Sequence, residues 1–287
     1  MMNKIQKTAV NLLLNYVSDD PIGKLPKMFE IAEKLDRGNI HTPQITMLRK
    51  VLLDENSNWH TFAVKLVDEV DLKCLKKFVE CFFVNANLQG EERAHNAEKK
   101  YNCNIPWTIL MDPTSACNLH CTGCWAAEYG NKNNLSYEML NSICQQGKEL
   151  GIFFYIFSGG EPLVRKHDII RLCEENQDCY FFAFTNGTLV DDELCREMLR
   201  VGNFALAFSI EGDEAATDLR RGKGTYRKVI EAMKRMRAHK LLFGYSTCYH
   251  RYNTESVGSD EFVDDMIARG CRFSWNFTYM PVGKDAH

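Results

Sequence analysis

The chain has 287 residues, 45% hydrophobic and 25% charged, with a formal net charge of −3. This is ordinary globular composition, long enough for one large domain or two, and the near-balanced charge gives no footing for nucleic acid or an anionic membrane surface. No apolar run approaches a membrane span, no small-residue cleavage site follows the first residues, and twelve cysteines in so long a chain fit a reducing cytoplasm better than a disulfide scaffold.

Residues 1–104 carry helical spacing throughout. Val10, Leu13, Leu14 and Val17 form one stripe; Phe29, Ile31, Ala32 and Leu35 a second; Ile45, Leu48, Val51 and Leu52 a third. Phe62, Ala63, Leu66 and Val67 follow, then Leu75, Phe78, Val79, Phe82 and Phe83. Asp20-Pro21 and Gly38 punctuate these stripes, and Ser57 and Asp71 stand as N-caps. The expectation is a small helical domain in front of a larger one. Its aromatic residues serve either as core or as a lid or docking surface over an active site, and Cys74 and Cys81, seven apart on one face, read as core rather than as ligands. Residues 89–104 are polar and read as a linker or exposed helix.

From Pro106 to the end the pattern alternates between strands and helices, giving a second domain over residues 105–287. Strands are expected at Trp107–Met111, Ile152–Phe157, Tyr180–Phe184, Phe204–Ile210, Leu241–Thr247 and Arg272–Phe277. Helices are expected at residues 137–150, capped by Ser136 and closed by Gly151, and at 168–175, 191–200, 226–239 and 260–268. Repeated strand–helix units imply parallel strands, and continuously apolar strands such as Ile152–Phe157 imply burial on both faces.

Two motifs sit at strand ends. After the first strand, Cys117, Cys121 and Cys124 stand at C-x3-C-x2-C in a short polar loop. Clustered thiolates select zinc or an iron–sulfur cluster. Structural zinc and electron-transfer clusters normally take four protein ligands, yet the next cysteine, Cys144, falls inside an expected helix. After the second strand comes Ser158-Gly159-Gly160-Glu161-Pro162, whose glycines let a ligand approach the backbone closely.

Together these motifs resemble the signature of the radical S-adenosylmethionine (radical SAM) superfamily. The resemblance implies a partial (β/α)6, TIM-like barrel. It implies that Cys117, Cys121 and Cys124 hold a 4Fe-4S cluster with one open iron. It implies that Ser158, Gly159, Gly160, Glu161 and Pro162 receive the amino group of SAM, and that Asn186, Ser209 and Arg221 bind its other polar parts. SAM would then be cleaved reductively to a 5′-deoxyadenosyl radical that removes hydrogen from a substrate: a small molecule such as a cofactor precursor, a peptide or a lipid. A one-electron reductant such as flavodoxin or ferredoxin would be the partner. The family's usual aromatic residue before the third cysteine is Gly123 here, with Trp125 after it. Many relatives of the SPASM or twitch type continue into a cysteine-rich extension, and residues 279–287 contain no cysteine; the chain is either complete or a piece of a longer protein.

A non-catalytic iron–sulfur carrier or sensor is the alternative, with a zinc module behind it; the glycine motif argues against a carrier, which needs no methionine pocket. Cys173, Cys179, Cys195, Cys248 and Cys271 read as core, and His120 as exposed rather than a ligand. Glu128, Tyr129, Glu211, Asp213, Tyr245, Tyr249, Trp275 and Asn276 stay open between structural and substrate-facing roles.

Overall fold

The computed structural model describes residues 20–36, 42–130 and 132–281. The stripe Val10–Val17 and Gly38 lie outside the described residues.

Among the described residues four helices lead in: α1 (Leu25–Leu35), α2 (Thr42–Leu53), α3 (Asn58–Glu69) and α4 (Leu72–Phe78). Both expected caps form, Ser57 Oγ accepting from Trp59 N at 3.2 Å and Asp71 from Lys73 N at 2.9 Å. The stripe from Leu75 to Phe83 does not continue as one α-helix, because Val79–Gln89 is π-helical. Phe78, Phe82 and Phe83 form one cluster there, with Phe78 stacked on Phe82 at 5.0 Å. The polar stretch expected as linker or helix is a helix, α5 (Gly90–Tyr101). Its first residue crosses the next unit so closely that a Cβ on Gly90 would lie 2.3 Å from the Gly151 carbonyl oxygen.

Six strands follow: β1 (Thr108–Met111), β2 (Phe154–Phe157), β3 (Tyr180–Thr185), β4 (Phe204–Ser209), β5 (Phe243–Tyr249) and β6 (Ser274–Thr278). All pair in parallel, in the order β1-β2-β3-β4-β5-β6. The connecting helices are α6 (Tyr137–Leu150), α7 (Lys166–Glu175), α8 (Asp192–Val201), α9 (Glu214–Arg221), α10 (Thr225–Ala238), α11 (Thr254–Val257) and α12 (Asp260–Ala268). Ser136 caps α6 through Met139 N at 3.2 Å, and Gly151 ends it in the left-handed conformation, φ +97°. The short α9 and α11 were not expected; polar, turn-rich sequence hides their apolar face.

The sheet curls into a half-barrel. Phe182 and Phe184 on β3 reach Trp275 on β6 at 5.9 and 5.7 Å, and Phe184 reaches Phe277 at 5.3 Å. Strands three places apart touch face to face only if the sheet folds round on itself. β1 and β6 are its two edges and do not pair with each other. This explains why β1, expected to be buried, leaves Leu110 55% exposed, and why every residue of β6 is exposed. The other face is the core: Tyr155, Phe157 and Phe181 stack on one another beneath α6, α7 and α8.

The part of the leading segment that packs on the barrel meets the end opposite the mouth. Phe82 meets Phe154 and Phe78 meets Tyr180, each at 5.2 Å, at the first residues of β2 and β3. Asn85 Nδ2 donates to the Asp178 carbonyl at 2.9 Å, and Asp71 N to the Lys240 carbonyl at 2.8 Å. Glu69 pairs with Arg272, just before β6. Cys74 and Cys81 are buried in the same core as the strands. Residues 69–85 therefore floor the barrel at the N-terminal ends of its strands, and Phe78, Phe82, Cys74 and Cys81 pack on its core, whereas Phe83 is exposed.

Candidate functional site

At the opposite, C-terminal ends of the strands the two motifs lie against each other. Where β1 ends, Ser158 N donates to the Met111 carbonyl at 2.9 Å. Gly160 N donates to Thr114 O at 2.9 Å and Glu161 N to Ala116 O at 2.8 Å. The glycine turn is thus laced to the segment leading into the cysteines. A Cβ on Gly160 would stand 2.2 Å from the Ala116 carbonyl oxygen, and one on Gly159, at φ +100°, 2.7 Å from that of Thr114. Both glycines are required by this contact, before any ligand is considered.

Glu161 is 1% exposed, and both its oxygens are engaged. Oε1 accepts from Leu163 N at 3.0 Å and Thr185 Oγ1 at 2.7 Å, and Oε2 from Asn186 N at 2.7 Å. Burial pushes its pKa up, while these donors pull it down. The side chain ties the glycine turn to the end of β3. Asn186 carries the tie onward: its Nδ2 donates to Asn118 Oδ1 at 2.8 Å and lies 3.9 Å from Cys117 Sγ. Thr188 anchors both asparagines, donating to Asn186 Oδ1 at 2.7 Å and accepting from Asn118 Nδ2 at 2.7 Å.

Cys117, Cys121 and Cys124 are all half-buried and none is in a disulfide. Burial raises the pKa of Cys117 and Cys121, and Arg221 beside Cys121 works against that rise. Among the described residues no three His, Cys, Asp or Glu side chains converge on a single metal ion. The thiolates that hold an iron–sulfur cube stand apart at its corners, and an all-sulfur donor set suits iron–sulfur chemistry.

On the far side of the loop a buried carboxylate gathers two cations. Glu211 is 0% exposed, and its Oε1 meets Arg220 at 2.5 Å and Arg221 at 2.5 Å, while Oε2 accepts from Cys248 N at 3.2 Å. Burial works to raise the Glu211 pKa, but Arg221 and Arg220 outweigh it and hold the carboxyl below the usual range. The Arg220 carbonyl accepts from Thr122 N at 2.9 Å, inside the cysteine loop. Arg220 Nε is buried with no hydrogen-bond partner among the described residues, a donor that suits an anionic group. Ser209 Oγ, at the end of β4, lies 3.2 Å from Ser246 Oγ in the middle of β5.

The structure thus brings Cys117, Asn186 and the glycine turn together on one side of the loop, with Arg221 near Cys121 on the other. Ser209 is at the mouth but bonded to Ser246. Cys173, Cys179, Cys195 and Cys271 are buried; Cys248, also read as core, is only half-buried. His120 is exposed. Asp213 is an N-cap for α9, accepting from Ala216 N at 2.8 Å. Sequence reasoning missed Asn118, Thr185, Thr188 and Arg220. The available signal was an acid directly after an apolar strand, Glu211, with two arginines nine and ten residues on.

The sequence model of the Radical SAM superfamily matches residues 111–258, more than half of the chain. An Fe-coproporphyrin III synthase of Methanosarcina barkeri is 26% identical, over 57% of this chain and 42% of its own. A serine-type anaerobic sulfatase-maturating enzyme of Klebsiella aerogenes is 26% identical, over 59% and 46%. The chain thus spans less than half the length of these curated relatives. Among solved structures, that of Streptococcus suis SuiB bound to S-adenosylmethionine has a TM-score of 0.58 at 22% identity, covering 69% of this chain and 47% of that one; that likeness concerns the fold.

Proposed function

Because this chain belongs to the radical SAM superfamily, whose members imply an iron–sulfur cluster and SAM, we propose that Cys117, Cys121 and Cys124 hold a 4Fe-4S cluster and that the barrel mouth binds SAM beside it. The observation that carries this reading is the lacing of the glycine turn to the cysteine loop through Thr114 and Ala116. It makes one unit of the cluster loop and the amino-acid pocket, which an electron carrier would not need.

When bound, the cluster supplies the electron that splits SAM into methionine and a 5′-deoxyadenosyl radical, the species that takes hydrogen from substrate. The chain's own residues bind and orient. Both oxygens of Glu161 accept from protein donors, which fixes the glycine turn, and the backbone carbonyls of that turn together with the remaining acceptor site of Glu161 receive the ammonium group. Asn186 holds Cys117 in place through Asn118 and its own amide. Arg221 and Arg220 bring positive charge against the cluster and the SAM carboxylate, and Arg220 has the donor to offer. Ser209, released from Ser246, serves a polar edge of SAM. Leu110, Trp275 and Phe277 give the barrel's inner face an apolar lining that keeps water from the reacting groups.

The substrate is a peptide, a cofactor precursor or a lipid. The names of the relatives support the first two, one making a coproporphyrin and the other maturing a sulfatase. The reductant is a flavodoxin or ferredoxin, and the location cytoplasmic; among the described residues no helix is long and apolar enough to cross a membrane. Anaerobic reconstitution with iron counting and Mössbauer spectroscopy tests the cluster. Four irons per chain, lost in a triple Cys117→Ala, Cys121→Ala, Cys124→Ala variant, is the expected result; full retention in that variant refutes it.

A further inference from the structure

The half-barrel has an open seam, since its edge strands β1 and β6 do not pair. At the mouth the two edges nevertheless meet. The cysteine loop comes from β1, and Tyr279 comes directly after β6, its N–H donating to the Tyr249 carbonyl at 3.0 Å. A Cβ built on Gly123 would lie 2.0 Å from the Tyr279 hydroxyl oxygen, and 2.8 and 2.9 Å from two carbons of its ring. The tyrosine therefore occupies the space that a side chain before the third cysteine would fill. Gly123 also sits at φ +63°, where glycine is favoured, so conformation and packing both demand it.

The same ring makes a second contact with the loop's support. Arg220 lies over it, the guanidinium carbon 5.9 Å from the ring centroid, and the Arg220 carbonyl accepts from Thr122 N. His250 meets the ring edge-on at 5.8 Å. Thr122 and Gly123, the two residues between Cys121 and Cys124, are thus braced by one side chain, the first through Arg220 and the second by direct contact.

We propose that Tyr279 is a positioning residue that clasps the cysteine loop to the free edge of the sheet and so fixes Cys121 and Cys124. The clasp stands on this geometry alone; its consequence for cluster and SAM rests on the function proposed above. Removing the ring frees residues 122 and 123, exposes the two thiols, and loosens whatever they hold.

Timed labelling of the cluster-free protein with a maleimide, read by mass spectrometry for each cysteine, tests the clasp. Tyr279→Ala is expected to label Cys121 and Cys124 about tenfold faster, the size of one lost aromatic contact. Tyr279→Phe, which keeps the ring, labels as the wild type does. Cys144 and Cys173, fully buried, stay unlabelled, which reports that the fold is intact. Gly123→Ala labels faster in the Tyr279 protein, and adds much less in the Tyr279→Ala protein, because the atom it meets is gone. Equal rates in wild type and Tyr279→Ala overturn the proposal. So does an equal effect of Gly123→Ala in both backgrounds; where Tyr279→Ala labels throughout, Gly123→Ala alone decides, and a Gly123→Ala protein whose Cys121 and Cys124 label no faster than in the wild type overturns the proposal. With the cluster restored, SAM affinity by equilibrium dialysis falls in Tyr279→Ala and not in Tyr279→Phe. A wild type that takes up neither iron nor SAM would refute the proposed function while the labelling result still decides the clasp.

Discussion

Gly160→Ala isolates the contact between the two motifs. Gly160 is not in the left-handed region, so alanine carries no backbone penalty there, and the whole effect is steric. The new Cβ would sit 2.2 Å from the Ala116 carbonyl oxygen and 2.6 Å from both the Ala116 carbonyl carbon and the Ser115 oxygen, where ordinary contact begins at 3.4 Å. One segment must retreat by about 1 Å. That retreat strains the bonds from Gly160 N to Thr114 and from Glu161 N to Ala116, each worth about 1 kcal/mol, on top of about 1–3 kcal/mol for overpacking. The upper limit is about 3–5 kcal/mol, a hundredfold or more against the native loop, at or below the low end of the stability of a typical domain. The protein is expected to fold, with a lowered thermal midpoint, and to reconstitute with much less iron than the wild type. Gly224→Ala is the control: at φ +82° with no atom within 4 Å of the new Cβ, it costs about 1–2 kcal/mol of backbone strain and leaves the iron content alone. A Gly160→Ala protein with full iron and an unchanged midpoint would refute the claim that the two motifs form one unit.

Three further outcomes follow from the geometry. Asn186→Ala removes the amide that braces Asn118 and Cys117 and leaves Thr188 without its acceptor, and is expected to weaken SAM binding about tenfold and to lower stability by about 1–3 kcal/mol, read by equilibrium dialysis and denaturant unfolding. Glu211 has a folded-state pKa held below its unfolded value of about 4.3, so its stabilising effect is present above that pH and is lost as pH falls through the folded pKa; melting from pH 7 to pH 3 should show this loss in the wild type, and Glu211→Gln, lacking it, should show a shallower fall from a midpoint already lowered by about 3–5 kcal/mol of broken buried pairing. Phe82→Ala removes a ring packed on Phe78, Trp107 and Phe154 and is expected to cost about 3 kcal/mol in denaturant unfolding, with SAM affinity unchanged because the contact lies at the floor of the barrel.

The fold was legible wherever one period dominated. Ile152–Phe157 is apolar without a break, and the strand it forms is buried at every position; Asp191, Leu194, Cys195, Met198 and Val201 mark a cap and one helical face, and the helix runs Asp192–Val201. Legibility failed where the pattern is local but the cause is distant. Leu110 reads as buried, yet lies on an edge that no strand covers. The stripe through Phe82 reads as regular α-helix, and only packing against Phe154 and Trp107 reveals the π-helical segment. At the site, the cysteine and glycine motifs were readable because each is contiguous. Asn118, Thr188 and Arg220 were not, since each acts through a residue far away in sequence. Glu161 shows a different limit: its identity was read, but not that its carboxylate also accepts from Thr185 and Asn186.

The central claim, that this mouth binds SAM and directs its reductive cleavage, is tested most directly by reducing the reconstituted protein with dithionite in the presence of SAM and measuring 5′-deoxyadenosine by mass spectrometry. The account predicts product from the wild type, its loss in Cys124→Ala, and a strong decrease in Glu161→Ala through collapse of the glycine turn. A reduced, intact cluster that yields no 5′-deoxyadenosine, and whose electron paramagnetic resonance spectrum does not respond to SAM, would contradict it.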